Sequence, residues 1–513
     1  MSSNLDLIAT VDISLDTPVS SSASFDNILI LGPGPANPAG EIPAVGVYRS
    51  LGELTELGFC ASGDKADPVG VAARAAFSQS PAPGQIYIAV QKPTAEAVAA
   101  AETIQAVNTA IEQYAGKKED LTGCSITFHE QARRINIILS GPVSGVKNTG
   151  LFDMLGALTA QGYTASVDGT ALTDGATFKK LPVFKTLAAL KEGGDDVLVP
   201  VAVNKQDTGS VTYAVVVSYP DPDALEIDEN TVDQPLDSPE TELEPPVETL
   251  ERAMETDGWY CICPAGVDGG GVKSIIEWTE TQNKICGYIE DNPDSPIVES
   301  GIYLRSYAVY PKVTEDQPDD DVPAENRYGA AAAMAVKAMN YHAGEETWAL
   351  KSLSAITPSR LSPSFIQKLN DANISFISNI ASKNVVLGGK TSGGEWIDVI
   401  RFRDWLQNDM QSRVVNLLII NPKIPYTDGG IGLVENQMLA SLKDGQKYGG
   451  IAPTEYDADG NTIPGYATSV PLAADLTGEQ KASRTLTGCR FSARLAGAVH
   501  LAEIEGSLTY EKV

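Results

Sequence analysis

The sequence predicts an α/β (α+β) multidomain protein, in which an α/β core domain carries a β-rich insertion and is followed by a C-terminal domain, with extended strand-forming arms at both ends. Three observations lead to that class. Apolar runs alternate with helical periodicities over 25–118 and again over 243–358. Between these stretches, 119–242 changes to period-2 segments separated by turn-rich sequence. Over 378–450 the order is a strand, a Gly-rich turn, a long amphipathic helix, a Pro-punctuated loop and a second helix.

The first segment, 1–24, alternates apolar residues at Leu5, Leu7, Val11, Ile13 and Leu15 with mostly polar ones. That is a half-buried strand, followed by the Ser-rich stretch TPVSSSAS. A strand here either edges its own domain or pairs with another chain. NILIL at 27–31 is a buried strand and SLGELTELGF a short helix. DPVGVAARAAFSQSPAPG is a second helix stopped by prolines, QIYIAV a strand, and 94–118 a long helix with a Gly stop. The insertion, 119–242, contains SITFHE, RINIILSG and VTYAVVVSY as strands, and ends in an acidic run with no basic residue between Lys205 and Arg252. The α/β pattern returns with the strand WYCICP, GGGVKSIIEWTETQNKICGYIE as a helix, the strand YLRSYAVYP, an acidic loop and the Ala-rich helix NRYGAAAAMAVKAMNYHAG. The C-terminal domain, 359–498, has a strand at Asn384 to Leu387, a second strand-like density at Trp396, Val399 and Ile400, and a helix from Arg403 to Leu418. A further helix spans Gly432 to Gly445, and a last alternating arm occupies 499–513, with Leu501, Ile504, Leu508 and Tyr510.

Composition removes several functional classes. With 43% hydrophobic and 20% charged residues over 513 positions, the chain has enough apolar sequence for several cores. No apolar run suits a bilayer span or a leader peptide, so direct membrane insertion is not expected. The 67 acidic against 37 basic residues leave a formal charge of −30, which disfavours tracking a phosphate backbone. Nucleic acid is therefore not an expected partner. Six scattered cysteines suit reduced thiols rather than a disulfide framework.

Candidate chemistry fails on spacing. LGPGPANPAG follows a strand, but five residues separate Gly34 from Gly40 and Glu41 stands where a phosphate-binding loop needs lysine. Cys261 and Cys263 share one face of a strand without the further ligands that zinc requires. His129, His342 and His500 fall in three separate regions, and no nucleophile elbow or HExxH occurs. Asp319, Asp320 and Asp321, like Asp228 and Glu229, lack a calcium-loop pattern. The expectation is no catalytic residue, no metal and no cofactor.

The order of elements over 378–450, together with FSQSPAPGQIYIAV leading from a helix through a Pro turn into a strand, resembles contractile tail sheath proteins of bacteriophage tails and R-type bacteriocins. The resemblance is strongest over about 360–513, extends to 25–118 and 243–358, and is absent from 119–242 and, apart from its strand pattern, from 1–24. It implies a non-enzymatic structural subunit that polymerises as stacked rings around a tail tube and contracts to drive the tube through a target envelope. The implied partners are other copies of the chain in a helical sheath, the tail tube protein, and baseplate and tail-terminator proteins. The implied location is a virion tail or bacteriocin particle assembled in the host cytoplasm. Residues 359–498 become the inner, tube-facing domain, with Glu435, Lys443, Asp444 and Lys447 towards the tube and Leu433, Met438, Leu439 and Leu442 towards the core. Leu5, Leu7, Val11, Ile13, Leu501, Ile504, Leu508 and Tyr510 become inter-subunit strand residues. The competing classes are an α/β hydrolase or transferase with an uncommon site, and a self-assembling structural protein that does not contract.

Overall fold

The computed structural model describes residues 24–35, 38–63, 65–94 and 243–504, and the backbone of six strands between 124 and 217. The chain divides into two compact units, Met1–Lys92 with Glu244–Val513, and Pro93–Leu243. Sequence reading put the first division at 118/119. The helix expected over 94–118 lies, from 95 onward, outside the described residues.

The larger unit begins with β1 (Ile28–Pro33), β2 (Val45–Tyr48), α1 (Leu51–Glu56), α2 (Pro68–Phe77) and β3 (Ile86–Gln91). The chain then enters the smaller unit, where β4 (Cys124–His129), β5 (Arg134–Leu139), β6 (Tyr163–Val167), β7 (Thr170–Leu172), β8 (Val199–Lys205) and β9 (Thr212–Val217) form one sheet in the order β4-β5-β9-β8-β6-β7. Only β5 and β9 run parallel.

Back in the larger unit come α3 (Pro246–Ala253), β10 (Cys261–Pro264), α4 (Gly269–Glu280), β11 (Ile285–Ile289), β12 (Ser306–Val309), α5 (Ala324–Met339), α6 (Pro363–Asp371), β13 (Ile374–Ile380) and β14 (Lys383–Leu387). Strands β13, β12, β11, β10, β1 and β3 are parallel neighbours, and antiparallel β14 and β2 close the two edges. A parallel sheet must be covered on both faces, which is why Ile28, Leu29, Ile30 and Leu31 are all buried in succession. Ile28 and Ile30 join the core under α2 and α5, while Leu29 and Leu31 join the core under α3 and α4. Each such side chain adds roughly 1.5–3 kcal/mol by leaving water. The alanines of α5 and α2 let the two helices pack closely, and a Cβ on Gly329 would collide with Ala75.

The chain ends with α7 (Ile397–Ile420), α8 (Asp428–Lys447), β15 (Glu455–Tyr456), β16 (Thr462–Ile463), β17 (Tyr466–Ser469), α9 (Gly478–Ala482) and β18 (Arg490–Ala493). The eight-stranded sheet crosses the expected boundary at 358/359, because β13 and β14 are its last two strands. A separate small core begins with α7 and α8, formed by Phe402, Leu406, Met410, Met438, Leu442 and Ile451.

Two expectations need correction. KICGYIE is not the end of a helix: α4 stops at Glu280, and ICGYI is the buried strand β11. Trp396, Val399 and Ile400 belong to no strand, since α7 starts at Ile397 with Trp396 at its N-cap. Residues 499–504, the described part of the C-terminal arm, pair with no strand among the described residues and are mostly exposed.

Candidate functional site: the C-terminal hairpin and the arm roots

Helices α7 and α8 form an antiparallel pair whose joint is set by local sequence. The helical run ends at Ile420, and Pro422 and Pro425 punctuate the connection. Thr427 then caps α8 by accepting a hydrogen bond from the Gly430 N–H. The pair closes on Phe402, against which Gly450 packs so tightly that a Cβ there would enter the ring. Arg413 adds one ion pair across the hairpin, to Asp444 at 2.5 Å, and a second within α7, to Asp409 one turn earlier at 2.7 Å.

The start of α7 is fastened to the sheet by charge. Arg305, just before β12, donates to both oxygens of Asp404 at 2.7 and 3.1 Å, and the Tyr260 hydroxyl donates to the same carboxylate at 2.8 Å. Arg403 completes the shell at 2.9 Å. The side chains of Arg305 and Asp404 are 2% and 0% exposed. Burial alone pushes the Asp404 carboxyl up, but Arg305 and Arg403 outweigh it and hold the group below the usual carboxylate range. Arg401, one turn earlier, is buried among Glu346, Asp26 and two backbone carbonyls. Sequence reading missed both residues. The available signal was their phase: Ile397, Ile400, Arg401 and Asp404 recur at helical spacing, so two of the four face-forming residues are charged.

The residues expected to face a tube lie as follows. Lys443 and Lys447 are exposed on α8. Asp444 is engaged by Arg413 and Glu435 accepts from the Thr468 hydroxyl at 2.8 Å, so these two brace the domain rather than extend from it. Met438 and Leu442 are buried as expected and Leu439 is half-buried, whereas Leu433, in the second turn of α8 near the connection to α7, is 39% exposed. Of the arm residues, Leu501 and Ile504 are 78% and 91% exposed. Leu5, Leu7, Val11, Ile13, Leu508 and Tyr510 lie outside the described residues.

Other candidates resolve into structure. Cys261 and Cys263 place their sulfurs 3.9 Å apart in the buried sheet beside the Tyr307 hydroxyl, and burial pushes the Cys263 thiol well up. His342 stacks on Tyr448 with ring centroids 3.6 Å apart. The strand holding His129 is described by its backbone alone. Asp319 pairs with Lys312 at 2.7 Å. Among the described residues no group of three or more His, Cys, Asp or Glu side chains is arranged to hold a metal, and no helix is long and apolar enough to cross a membrane.

The C-terminal region presents a braced helical hairpin, a small two-stranded sheet of β17 and β18, and an exposed apolar tail. Residues 397–508 match the family model described as E217 tail sheath protein gp31-like, C-terminal domain. No curated protein sequence matches. Among solved structures, the helical sheath of the anti-feeding prophage in its contracted state is similar at 13% identity over 98% of this chain and 99% of that one, with a TM-score of 0.46. The sheath complex of the extracellular contractile injection system PVC, also contracted, is similar at 13% identity over 58% and 77%, with a TM-score of 0.36. The sheath tail protein of Listeria innocua is similar at 11% identity over 88% and 90%, with a TM-score of 0.38.

Proposed function

We propose that the protein is the structural subunit of a contractile tail sheath, polymerising as stacked rings around a tail tube and shortening to drive that tube through a target envelope. The observation that carries this reading is the match of the hairpin and small-sheet region to a tail sheath C-terminal domain. The subunit works without catalysis, its energy coming from the difference between two packings of folded subunits.

Connections that survive such a rearrangement are supplied by strand addition, because main-chain hydrogen bonds hold a partner while the body rotates. Among the described residues β17 and β18 pair only with each other in their sheet, which leaves outer edges for an incoming strand. The donors are the two arms, carrying Leu5, Leu7, Val11 and Ile13 at one end and Leu501, Ile504, Leu508 and Tyr510 at the other. The exposed side of α8, with Lys443 and Lys447 and flanked by Glu435 and Asp444, is the tube-facing surface. The β-rich insertion occupies the outside of the particle, where it need not obey the packing of the rings. Baseplate and terminator proteins bound the two ends of the sheath, in a virion tail or bacteriocin particle assembled in the host cytoplasm.

Negative-stain micrographs of the purified protein, alone and with its tube, test the function directly. Tubes or rings are expected. Dispersed particles under all conditions would return the chain to the enzyme reading. A protein lacking residues 1–20 is expected to stay folded and soluble but to build no long sheath, and normal-length sheaths from it would remove the strand-addition mechanism.

A further inference from the structure

The segment 341–350 leaves α5 and runs to the sheet edge, where the Leu350 N–H donates to the Val386 carbonyl at 2.8 Å. On this short path it holds the chain close to both ends of the described structure. Arg401 donates from Nε to the Phe25 carbonyl at 3.0 Å, and from Nη2 to the Asp26 carboxylate at 2.8 Å and the Tyr341 carbonyl at 2.9 Å. Its Nη1 donates to Glu346 at 2.6 Å, and the other Glu346 oxygen accepts from the Gly344 N–H at 3.1 Å. Arg401 and Glu346 have fully buried side chains, whereas Asp26 is 64% exposed. The next residue, Thr347, shares a 2.7 Å hydrogen bond with Nε2 of His500. His500 packs edge-on against Trp396, the N-cap residue of α7, at 4.6 Å between centroids.

Two adjacent residues therefore reach both roots: Glu346 holds Arg401, which binds Phe25 and Asp26 at the root of the N-terminal arm, and Thr347 binds His500 at the root of the C-terminal arm. We propose that the 341–350 segment is a clasp that couples the two arms, so that displacement of one root loosens the other. The coupling follows from the stakes at each contact. Arg401 cannot release Phe25 and Asp26 without leaving a buried guanidinium with fewer acceptors, which disfavours that motion unless Glu346 moves with it. Glu346 in turn cannot move without its neighbour Thr347, and with it the bond to His500. Arg401 also links the clasp to α7, whose next turn carries the Asp404 attachment to the sheet. The arms' joining of neighbouring subunits belongs to the functional reading above; the coupling is a property of one subunit.

Hydrogen exchange of the full-length, unassembled protein tests it, read by mass spectrometry at residues 25–28 and 496–503. Thr347→Val removes the hydroxyl that meets His500 and is expected to speed exchange at both roots by about fivefold, the scale of one lost hydrogen bond. Asp26→Asn, at an exposed position that tolerates change, is expected to do the same at both. Thr347→Ser keeps the hydroxyl and should restore exchange at both roots, while the amides of β11 stay unchanged throughout. If each variant loosens its own root alone, or if Thr347→Ser fails to rescue, the clasp is overturned. Should Thr347→Val not fold, Asp26→Asn alone decides between coupled and independent roots. Loss of sheath assembly with coupled roots intact would count against the functional reading and leave the clasp standing.

Discussion

Replacing Asp404 with alanine strips Arg305 of the carboxylate that takes up two of its donors and leaves the Tyr260 hydroxyl without its acceptor, all within a region closed to water. Removing one member of a buried pair costs about 3–5 kcal/mol, because the remaining charge stays desolvated and uncompensated. The double variant Arg305→Met with Asp404→Leu removes both charges and fills most of the space. The Tyr260 hydroxyl, the Lys284 carbonyl and the Asn283 side-chain oxygen then each lose a partner, and the partly exposed Arg403 loses its carboxylate. A neutral buried group left unsatisfied costs about 1–3 kcal/mol, but no fully buried charge remains uncompensated, so the double variant should be more stable than the single. Urea titration of the unassembled subunit, followed by tryptophan fluorescence, gives the comparison, with the fully buried Trp259 and Trp348 reporting on the sheet side. The pH dependence has a definite sign. The folded-state value for Asp404 is depressed, so its stabilisation is present above the unfolded carboxylate value of about 4 and is lost as pH falls through the folded one. The advantage of the wild-type protein over Asp404→Ala should therefore shrink in acid. A single-variant cost below about 1 kcal/mol, or a double variant no better than the single, would refute the view that this pair fastens α7 to the sheet.

Three further outcomes are expected. Replacing 93–243 with a Gly-Ser linker of about four to six residues should leave a folded subunit that builds a thinner, still contracting sheath. The two cut ends are already joined, since Glu244 N–H donates to the Lys92 carbonyl and Lys92 N–H to the Glu244 carboxylate, each at 2.8 Å; failure to fold or to form rings would make the insertion part of the core architecture. Lys443→Glu with Lys447→Glu should weaken assembly on the tube more than self-assembly into empty sheaths, and equal yields of both would remove α8 from the tube contact. Lys284 is held over the Trp259 ring, and burial lowers its ammonium to about 7. A depressed lysine destabilises the fold below that value and is relieved as pH rises, so the wild-type protein should gain on Lys284→Met by about 1.4 kcal/mol per pH unit between about pH 7 and 9. A flat difference in unfolding midpoint over that range would mean that Lys284 is neutral throughout or not buried.

The strands that the sequence revealed most clearly are those whose two faces are both dry. NILIL and QIYIAV are continuous apolar runs because helices cover both faces of the sheet. The Ala-rich helix α5 was equally legible, since nothing but a close helix contact needs so many small residues. Legibility failed where polar side chains had been buried for tertiary reasons. The first turns of α7 put Arg401, Asp404, Gln407 and Gln411 inside, which broke the apolar period and made Val399 and Ile400 look like a strand. Strand β11 was hidden by its closeness to α4, with four residues between them and no Pro or Gly to mark the break. Of the candidate site, the apolar character of the tail and of one α8 face could be read locally. The roles of Arg401, Glu346, Thr347 and His500 depend on positions up to 376 residues apart, which no window along the chain brings together.

The tail from Val499 to Ile504, with its three large apolar side chains 83%, 78% and 91% exposed, has a consequence for the free subunit. In dilute solution such a segment is a site for indiscriminate sticking, and a strand edge left open beside it makes a ready template. The same molecule carries a net charge of −30, so two copies approaching in any orientation meet long-range repulsion before short-range attraction. Growth is then a colloidal problem with a barrier. Stray pairs are pushed apart, and only a position that engages several surfaces at once holds a newcomer. Raising the ionic strength lowers that barrier for correct and incorrect encounters alike.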